Sequence, residues 1–373
     1  MVATAGTTLG NASPRISCYA ARIVMKFLLF AHCAAFLFGS VAAQTLGWQP
    51  SLGHTQIPIW PGAAPDPQPA NPNQNGGQET AKIEVKDPVA GKPWTYVENV
   101  STPTMTVYSP PGTNTGAAVV VFPGGGYQIL AIDLEGTEVC DWLTQKGITC
   151  VLLKYRVTDV GPYPKSGPYP ESPMALEDAQ RTLRLVRAHA AEWHIDPHKI
   201  GVLGFSAGGH LTVAMSVTFD KRLYPLVDAA DQLSCRPDFA VAIYPGHLTR
   251  AAAEYDAGFG ATPFALPPRD ALSQADENLG LNPDIQITSE TPPTFLLQAE
   301  DDHVDSVYDS LSYYIALKKA GVPAEMHLYA EGNHAFGLRP TKLPITAWPQ
   351  LVEIWLGTIG MIPEPSLAAA RSN

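Results

Sequence analysis

The chain has 373 residues, with 35 Asp and Glu against 24 Lys and Arg, and a formal charge of −11 at neutral pH. That excess of acid argues against nucleic acid or an anionic membrane as partner, since both reward clustered cations, and it leaves a neutral or sugar-like ligand as the better fit. The length admits one large α/β domain or two smaller ones, and the composition is not that of a disordered, fibrous or disulfide-dense chain.

Near the N-terminus, Met25-Lys26 precedes an apolar run from Phe27 to Phe38 and the small residues Gly39-Ser40-Val41-Ala42-Ala43. A short positive start, an apolar core and a small-residue cleavage point form the pattern of a secretory signal peptide, and the apolar run is short for a spanning helix. Residues 25–43 are therefore expected to be a signal peptide and residues 1–24 a mis-assigned upstream start. The processed protein is expected to be secreted or periplasmic, with no integral membrane segment. Beyond residue 43 the cysteines are Cys140, Cys150 and Cys235. One disulfide suits an oxidising compartment, with Cys140 and Cys150 the nearest pair in sequence, and none of the three stands in zinc-ligand spacing.

Residues 44 to about 90 are rich in Pro, Asn and Gln and read as an extended, poorly regular arm. The arm is placed over 44–100, the main domain over 101–362 and a C-terminal tail over 363–373. Strand-like runs follow at Thr104–Ser109 and at Ala117–Phe122, the second continuously apolar as for a strand covered on both faces. After them come the glycine run 124–126, a helix from about Glu135 to Lys146, and a strand over Thr149–Tyr155. Residues 161–173 (GPYPKSGPYPESP) read as a proline-stiffened loop.

Ala175, Ala179, Leu183, Val186, Ala190 and Trp193 then recur at steps of three and four, the period of an amphipathic helix, and Arg181, Arg184 and Arg187 read as its solvated face. A strand is expected over residues 199–203, a helix over 209–217 and a strand over Phe239–Tyr244. Residues 247–290 read as a small insertion over the sheet's C-terminal edge. Strands at Thr294–Gln298 and Ala324–Tyr329 follow, with a helix between them and a last helix carrying Trp348, Leu351, Val352, Trp355, Leu356 and Ile359 on one face. Strands alternating with helices imply a mostly parallel central sheet with helices on both faces.

In such a sheet, ligand chemistry collects at the carboxyl ends of the strands. Gly204-Phe205-Ser206-Ala207-Gly208 stands between a strand and a helix, the setting of a nucleophile elbow, in which flanking glycines allow a tight turn and leave the Ser206 oxygen clear at a helix N-terminus. The glycines after Phe122 can bring bare N–H groups against a substrate oxygen, joined by the N–H of Ala207, as an oxyanion hole. Glu300-Asp301-Asp302 follows the 294–298 strand. Either aspartate could orient an imidazole by position; Asp302 is preferred, with Asp301 and Glu300 as loop-fixing or solvated charges. Gly332-Asn333-His334 would then present His334 as general base, and the order Ser206, Asp302, His334 is that of the α/β-hydrolase triad. Tyr127 and Phe205 are candidate walls of an acyl pocket and His247 a candidate substrate contact, while His210, His303 and His327 read as structural.

Pro123-Gly124-Gly125-Gly126-Tyr127, Gly204 to Leu211, Glu300-Asp301-Asp302 and Gly332-Asn333-His334 together resemble the acetyl esterase/lipase branch of the α/β-hydrolases, over roughly residues 100–360. The chain is similar to bacterial acetylxylan esterases and feruloyl-esterase-like proteins. The resemblance implies that Ser206 attacks, His334 shuttles the proton, Asp302 orients it, and Gly125, Gly126 and Ala207 donate to the oxyanion. It implies no cofactor and no metal, and a short acyl ester or acetylated polysaccharide as substrate. Many lipase relatives carry His where this chain has Pro123. Two other readings are a general or feruloyl carboxylesterase and a prolyl-oligopeptidase-like peptidase, the latter normally joined to a propeller that is not seen here. A non-catalytic binding protein of the same fold would have a broken triad.

Overall fold

The computed structural model describes residues 47–65, 77–157, 173–249 and 280–364. The expected signal peptide at 25–43 with residues 1–24, nearly all of the 161–173 loop, most of the 247–290 insertion and all but the first two residues of the 363–373 tail lie outside the described residues. In chain order the elements are β1 (Ile57–Pro58), β2 (Thr80–Val89), β3 (Lys92–Glu98), β4 (Thr104–Tyr108), β5 (Ala118–Phe122) and β6 (Ile129–Leu130). A π-helical turn (Asp133–Thr137) runs into α1 (Glu138–Gln145), followed by β7 (Thr149–Lys154), α2 (Pro173–Ala188), β8 (Ile200–Phe205) and α3 (Ala207–Thr218). A 3₁₀ turn (Ala229–Gln232), β9 (Ala240–Ile243), β10 (Thr294–Ala299), α4 (Val307–Lys319), β11 (Ala324–Tyr329) and α5 (Trp348–Thr358) complete the described chain.

Among the described residues the main sheet has the order β1-β4-β7-β5-β8-β9-β10-β11. From β7 to β11 neighbours are parallel, and only β1–β4 and β4–β7 are antiparallel. Every residue of β5, β7, β8, β9 and β10 is buried, which is why these strands read as unbroken apolar runs: helices cover both faces. The register sets the site. Phe122 pairs with Gly204, Phe205 with Ile243, Ile243 with Leu297, and Ala299 with Tyr329, so the loops leaving β5, β8, β10 and β11 emerge along one edge. Cys140 of α1 and Cys150 of β7 form a disulfide, and Cys235 is free and buried.

Two expectations are corrected. The 44–90 stretch is not uniformly irregular. β1 adds to the edge of β4, and β2 and β3 form an antiparallel hairpin to which β6 is joined. The Pro- and Asn-rich composition ends near Gly77, and beyond it the chain alternates β-prone residues on either side of Ala90-Gly91. Both turn residues take positive φ, 50° and 75°, the twist that a two-residue hairpin loop requires.

The arginines of α2 are likewise not a solvated face. Arg181 is 2% exposed, donates from Nη1 to Asp228 (2.8 Å) and Asp231 (3.0 Å), donates from Nη2 to Asp228, and reaches the Ile59 carbonyl through Nε (2.9 Å). Arg184 donates to the Tyr224 hydroxyl at 2.8 Å, and Arg187 to Asp238 at 3.3 Å. The segment 224–238 folds over this side of α2, so charge at helical spacing marks a second packed interface whose acids lie 47 to 51 residues away. Burying an ion pair contributes little net stability, but removing one partner leaves the other charge stranded. Arg181→Met is expected to lower the unfolding free energy by about 3 kcal/mol or more, because Asp231 stays buried. Urea unfolding followed by circular dichroism checks this, and an unchanged midpoint contradicts it.

Candidate active site

Ser206 sits between β8 and α3 with φ 51° and ψ −121°, outside the regions that non-glycine residues ordinarily occupy. The two flanking glycines are required by close approach. A Cβ on Gly204 would lie 2.0 Å from the Gly208 carbonyl oxygen, and one on Gly208 would lie 2.0 Å from that of Phe122. The serine is pinned by its own backbone as well: its N–H donates to Ile243 O (3.1 Å), and its carbonyl accepts from the His210 N–H (2.8 Å).

His334 is delivered by the loop after β11. The Asp301 carboxylate accepts from the N–H groups of Gly332 (2.8 Å) and Asn333 (2.7 Å) and so fixes the loop's entry. Asp302 takes the imidazole. His334 Nδ1 donates to Asp302 Oδ2 at 2.8 Å, while Asp302 Oδ1 accepts from Val304 and Asp305 N–H at 2.9 Å each, so both oxygens are committed. With the Nδ1 proton held there, Nε2 is left as an acceptor, and the Ser206 hydroxyl lies 3.0 Å from it. An arrangement of this kind can take a serine proton as the oxygen attacks.

The glycine loop stands opposite. The Gly124 N–H donates to Glu135 Oε2 at 2.7 Å and is therefore engaged. Gly125 (φ 127°), Gly126 (φ 62°) and Tyr127 (φ 57°) are three successive left-handed residues, closed by bonds from Gln128 and Ile129 N–H to the Gly125 carbonyl, both 3.0 Å. Gly125, Gly126 and Ala207 line a cavity of about 220 Å³ together with Ser206, His334 and His247.

A family model for the alpha/beta hydrolase fold matches residues 119–338. The chain belongs to that family. It is 28% identical over 232 residues to an acetylxylan esterase of Xylanibacter ruminicola, a match covering 61% of this chain and 42% of that protein. It is 30% identical over 216 residues to an endo-1,4-beta-xylanase B of Butyrivibrio fibrisolvens, covering 58% and 32%. The chain thus spans less than half the length of either of these relatives. Among solved structures, an acetyl ester-xyloside bifunctional hydrolase from Caldicellulosiruptor lactoaceticus is similar at TM-score 0.59 and 32% identity, over 83% of this chain and 97% of that one. Thermogutta terrifontis esterase 2 shares the fold at TM-score 0.54 and 23% identity, over 76% and 97%.

Several residues of this site are not evident from the sequence. Asp305 is 4% exposed and lines the cavity. Its Oδ2 lies 3.3 Å from Ser206 Oγ and 3.7 Å from His334 Nε2, on the side away from Asp302. Glu135, in the π-helical turn, accepts from Gly124 and from the Tyr244 hydroxyl (2.8 Å), and the Tyr244 ring stands 4.8 Å from that of His334. Trp94 of the hairpin also lines the cavity. A signal for Asp305 was its place three residues after Asp302 in the same loop, and for Trp94 the alternation of the 92–98 run. Glu135 looks like an ordinary acid at a helix start.

Of the candidate substrate contacts, His247 is on the cavity wall, with Nε2 3.7 Å from Asp305 Oδ1. Phe205 is not: it is fully buried, packed against Tyr244 (5.7 Å) and Trp348 (6.0 Å), because the strand's last residue faces the core side of the turn. Tyr127 packs on Tyr155, places its hydroxyl 3.0 Å from His210 Nδ1 and is not among the cavity's lining residues. His210 is held neutral, pushed down to about 3 by burial and then by His247. Among the described residues no cluster of His, Cys, Asp or Glu has the makings of a metal site.

Burial pulls the His334 imidazole down, but the charge and hydrogen bond of Asp302, with the charges of Asp305 and Glu135, outweigh it and lift the group to about 9. Burial raises the Glu135 carboxyl, against the Tyr244 hydrogen bond and the His334 charge. NMR titration of the imidazole is expected to place His334 well above an ordinary histidine. Asp302→Asn should lower its midpoint by about one unit or more, since an anion is lost while burial stays. An unmoved midpoint contradicts this.

Proposed function

We propose that the protein is a serine carboxylic ester hydrolase that removes short acyl groups, acetyl in particular, from plant polysaccharide such as acetylxylan through an acyl-enzyme. The observation that carries the reading is the unbroken line Asp302–His334–Ser206, at 2.8 Å and 3.0 Å, in a cavity lined also by Gly125, Gly126 and Ala207, whose backbone N–H groups this reading assigns to the oxyanion. In this reading Ser206 Oγ bonds to the ester carbonyl carbon as its proton passes to His334 Nε2. The carbonyl oxygen gains negative charge facing those backbone N–H groups. As the tetrahedral intermediate collapses, the bond to the alcohol oxygen breaks and that oxygen takes the proton from His334. Water then repeats the sequence: it gives a proton to Nε2, its oxygen bonds to the acyl carbon, and Ser206 Oγ leaves with the proton returned. Asp302 keeps the imidazole in the needed tautomer and stabilises its charged form; it is not itself protonated.

The acetyl and polysaccharide parts rest on the similarity to the Xylanibacter acetylxylan esterase and the Caldicellulosiruptor acetyl ester-xyloside hydrolase and on a cavity small for a drug-sized ligand. Export through the 25–43 signal peptide is supported by the pattern of that stretch and by the Cys140–Cys150 disulfide, which persists in oxidising compartments. No helix of the described residues is long and apolar enough to cross a membrane.

Purified protein is expected to release acetate from acetylated xylan and to cleave p-nitrophenyl acetate. Ser206→Ala should lower kcat on p-nitrophenyl acetate by at least about 10³-fold with the circular dichroism spectrum unchanged. Asp302→Asn should cost more than Asp301→Asn, which touches only the loop. A folded Ser206→Ala variant with full activity would remove the assignment.

A further inference from the structure

We propose that Asp305 is a specificity-determining residue: its carboxylate accepts a hydrogen bond from a free hydroxyl on the alcohol part of the ester, so that the enzyme selects partly acylated sugars over esters of alcohols without a neighbouring hydroxyl. The inference rests on the ester-hydrolase reading above and deepens it on the alcohol side.

Position gives the first reason. The departing alcohol oxygen must reach His334 Nε2 to collect its proton. Asp305 Oδ2 lies 3.7 Å from that nitrogen and 3.3 Å from Ser206 Oγ, so the atoms next to the departing oxygen pass beside the carboxylate. Chemistry gives the second. A buried anion next to a carbon where negative charge develops opposes acylation, and an alkyl alcohol would set apolar surface against it. A hydroxyl one carbon from the ester oxygen reverses the sign of that contact by donating to it.

The backbone of Asp305 is also held in the wall, and Gly246 leaves room for its carboxylate. The Asp305 N–H donates to Asp302 Oδ1 (2.9 Å), its carbonyl accepts from Gln298 Nε2 (2.8 Å), and a Cβ on Gly246 would fall 2.0 Å from Oδ1, so only glycine leaves it room. Trp94 lines the same cavity and supplies an aromatic side chain of the kind a sugar packs on. Asp305 does not substitute for Asp302, because it stands on the Nε2 side of the imidazole, where substrate and water arrive.

The test compares two substrates on one enzyme: methyl β-xyloside carrying a single acetyl group with its neighbouring hydroxyls free, and the same ester with those hydroxyls methylated. The wild-type protein is expected to favour the hydroxyl-bearing ester in kcat/KM by about tenfold or more, as a site built to bond a hydroxyl disfavours the analogue lacking it. Asp305→Ala should cut that ratio at least tenfold, and Asp305→Asn, which keeps the shape and one acceptor oxygen but not the charge, should cut it less. The isosteric Asn variant carries the test should the Ala variant not fold. If both esters change by the same factor in these variants, Asp305 only supports the site and the inference is overturned. If the wild-type protein cleaves neither ester nor p-nitrophenyl acetate, the ester-hydrolase reading itself fails.

Discussion

The backbone of Ser206 is the constraint on which the site depends. A non-glycine residue held at φ 51° and ψ −121° costs about 1–3 kcal/mol and persists only where its surroundings leave no alternative. Here the surroundings are backbone packed on backbone. Gly204 lies against the Gly208 carbonyl and Gly208 against that of Phe122, so β5, β8 and the start of α3 meet without intervening side chains. The same closeness brings the loop after β5 beside the serine, since Phe122 and Gly204 are register partners. One tight turn therefore sets the Ser206 oxygen and the glycine loop side by side.

Around that oxygen the electrostatics are dominated by acids. Asp302 holds His334 from behind, Asp305 stands in front, and Glu135 lies beneath the glycine loop, all buried around one imidazole. Their combined effect raises the basicity of His334 above what burial alone would allow. A stronger base takes a proton more readily but is neutral over a smaller part of the pH range. The acids differ in their attachments. Asp302 is bound by the imidazole and two N–H groups, whereas Asp305 places Oδ2 beside Ser206 Oγ and Oδ1 toward His247.

Much of the fold is legible in the sequence because parallel strands covered on both faces leave unbroken apolar runs, such as 118–122 and 294–299, with motif residues directly after them. The choice of Asp302 over Asp301 had a weaker basis. Adjacent residues at a strand end have equal claims by position, and only the folded loop shows Asp301 on the Gly332 and Asn333 N–H groups and Asp302 on the imidazole. Three misreadings share one physical cause, that local pattern does not reveal a distant partner. The arginines of α2 have the spacing of a solvated stripe but meet Tyr224, Asp228, Asp231 and Asp238. The 80–98 hairpin follows a Pro- and Asn-rich tract that masks it. Phe205 adjoins the serine in sequence, yet the turn sends it into the core.

The central claim, that Ser206 is the one activated serine, is tested most directly by covalent labelling. The protein is treated with a fluorophosphonate and the adduct is located by mass spectrometry of peptides. The account predicts one stoichiometric adduct on Ser206, with loss of ester hydrolysis in step with labelling and no labelling in His334→Ala. Labelling at another residue, or full ester hydrolysis by protein that carries the adduct on Ser206, would contradict it.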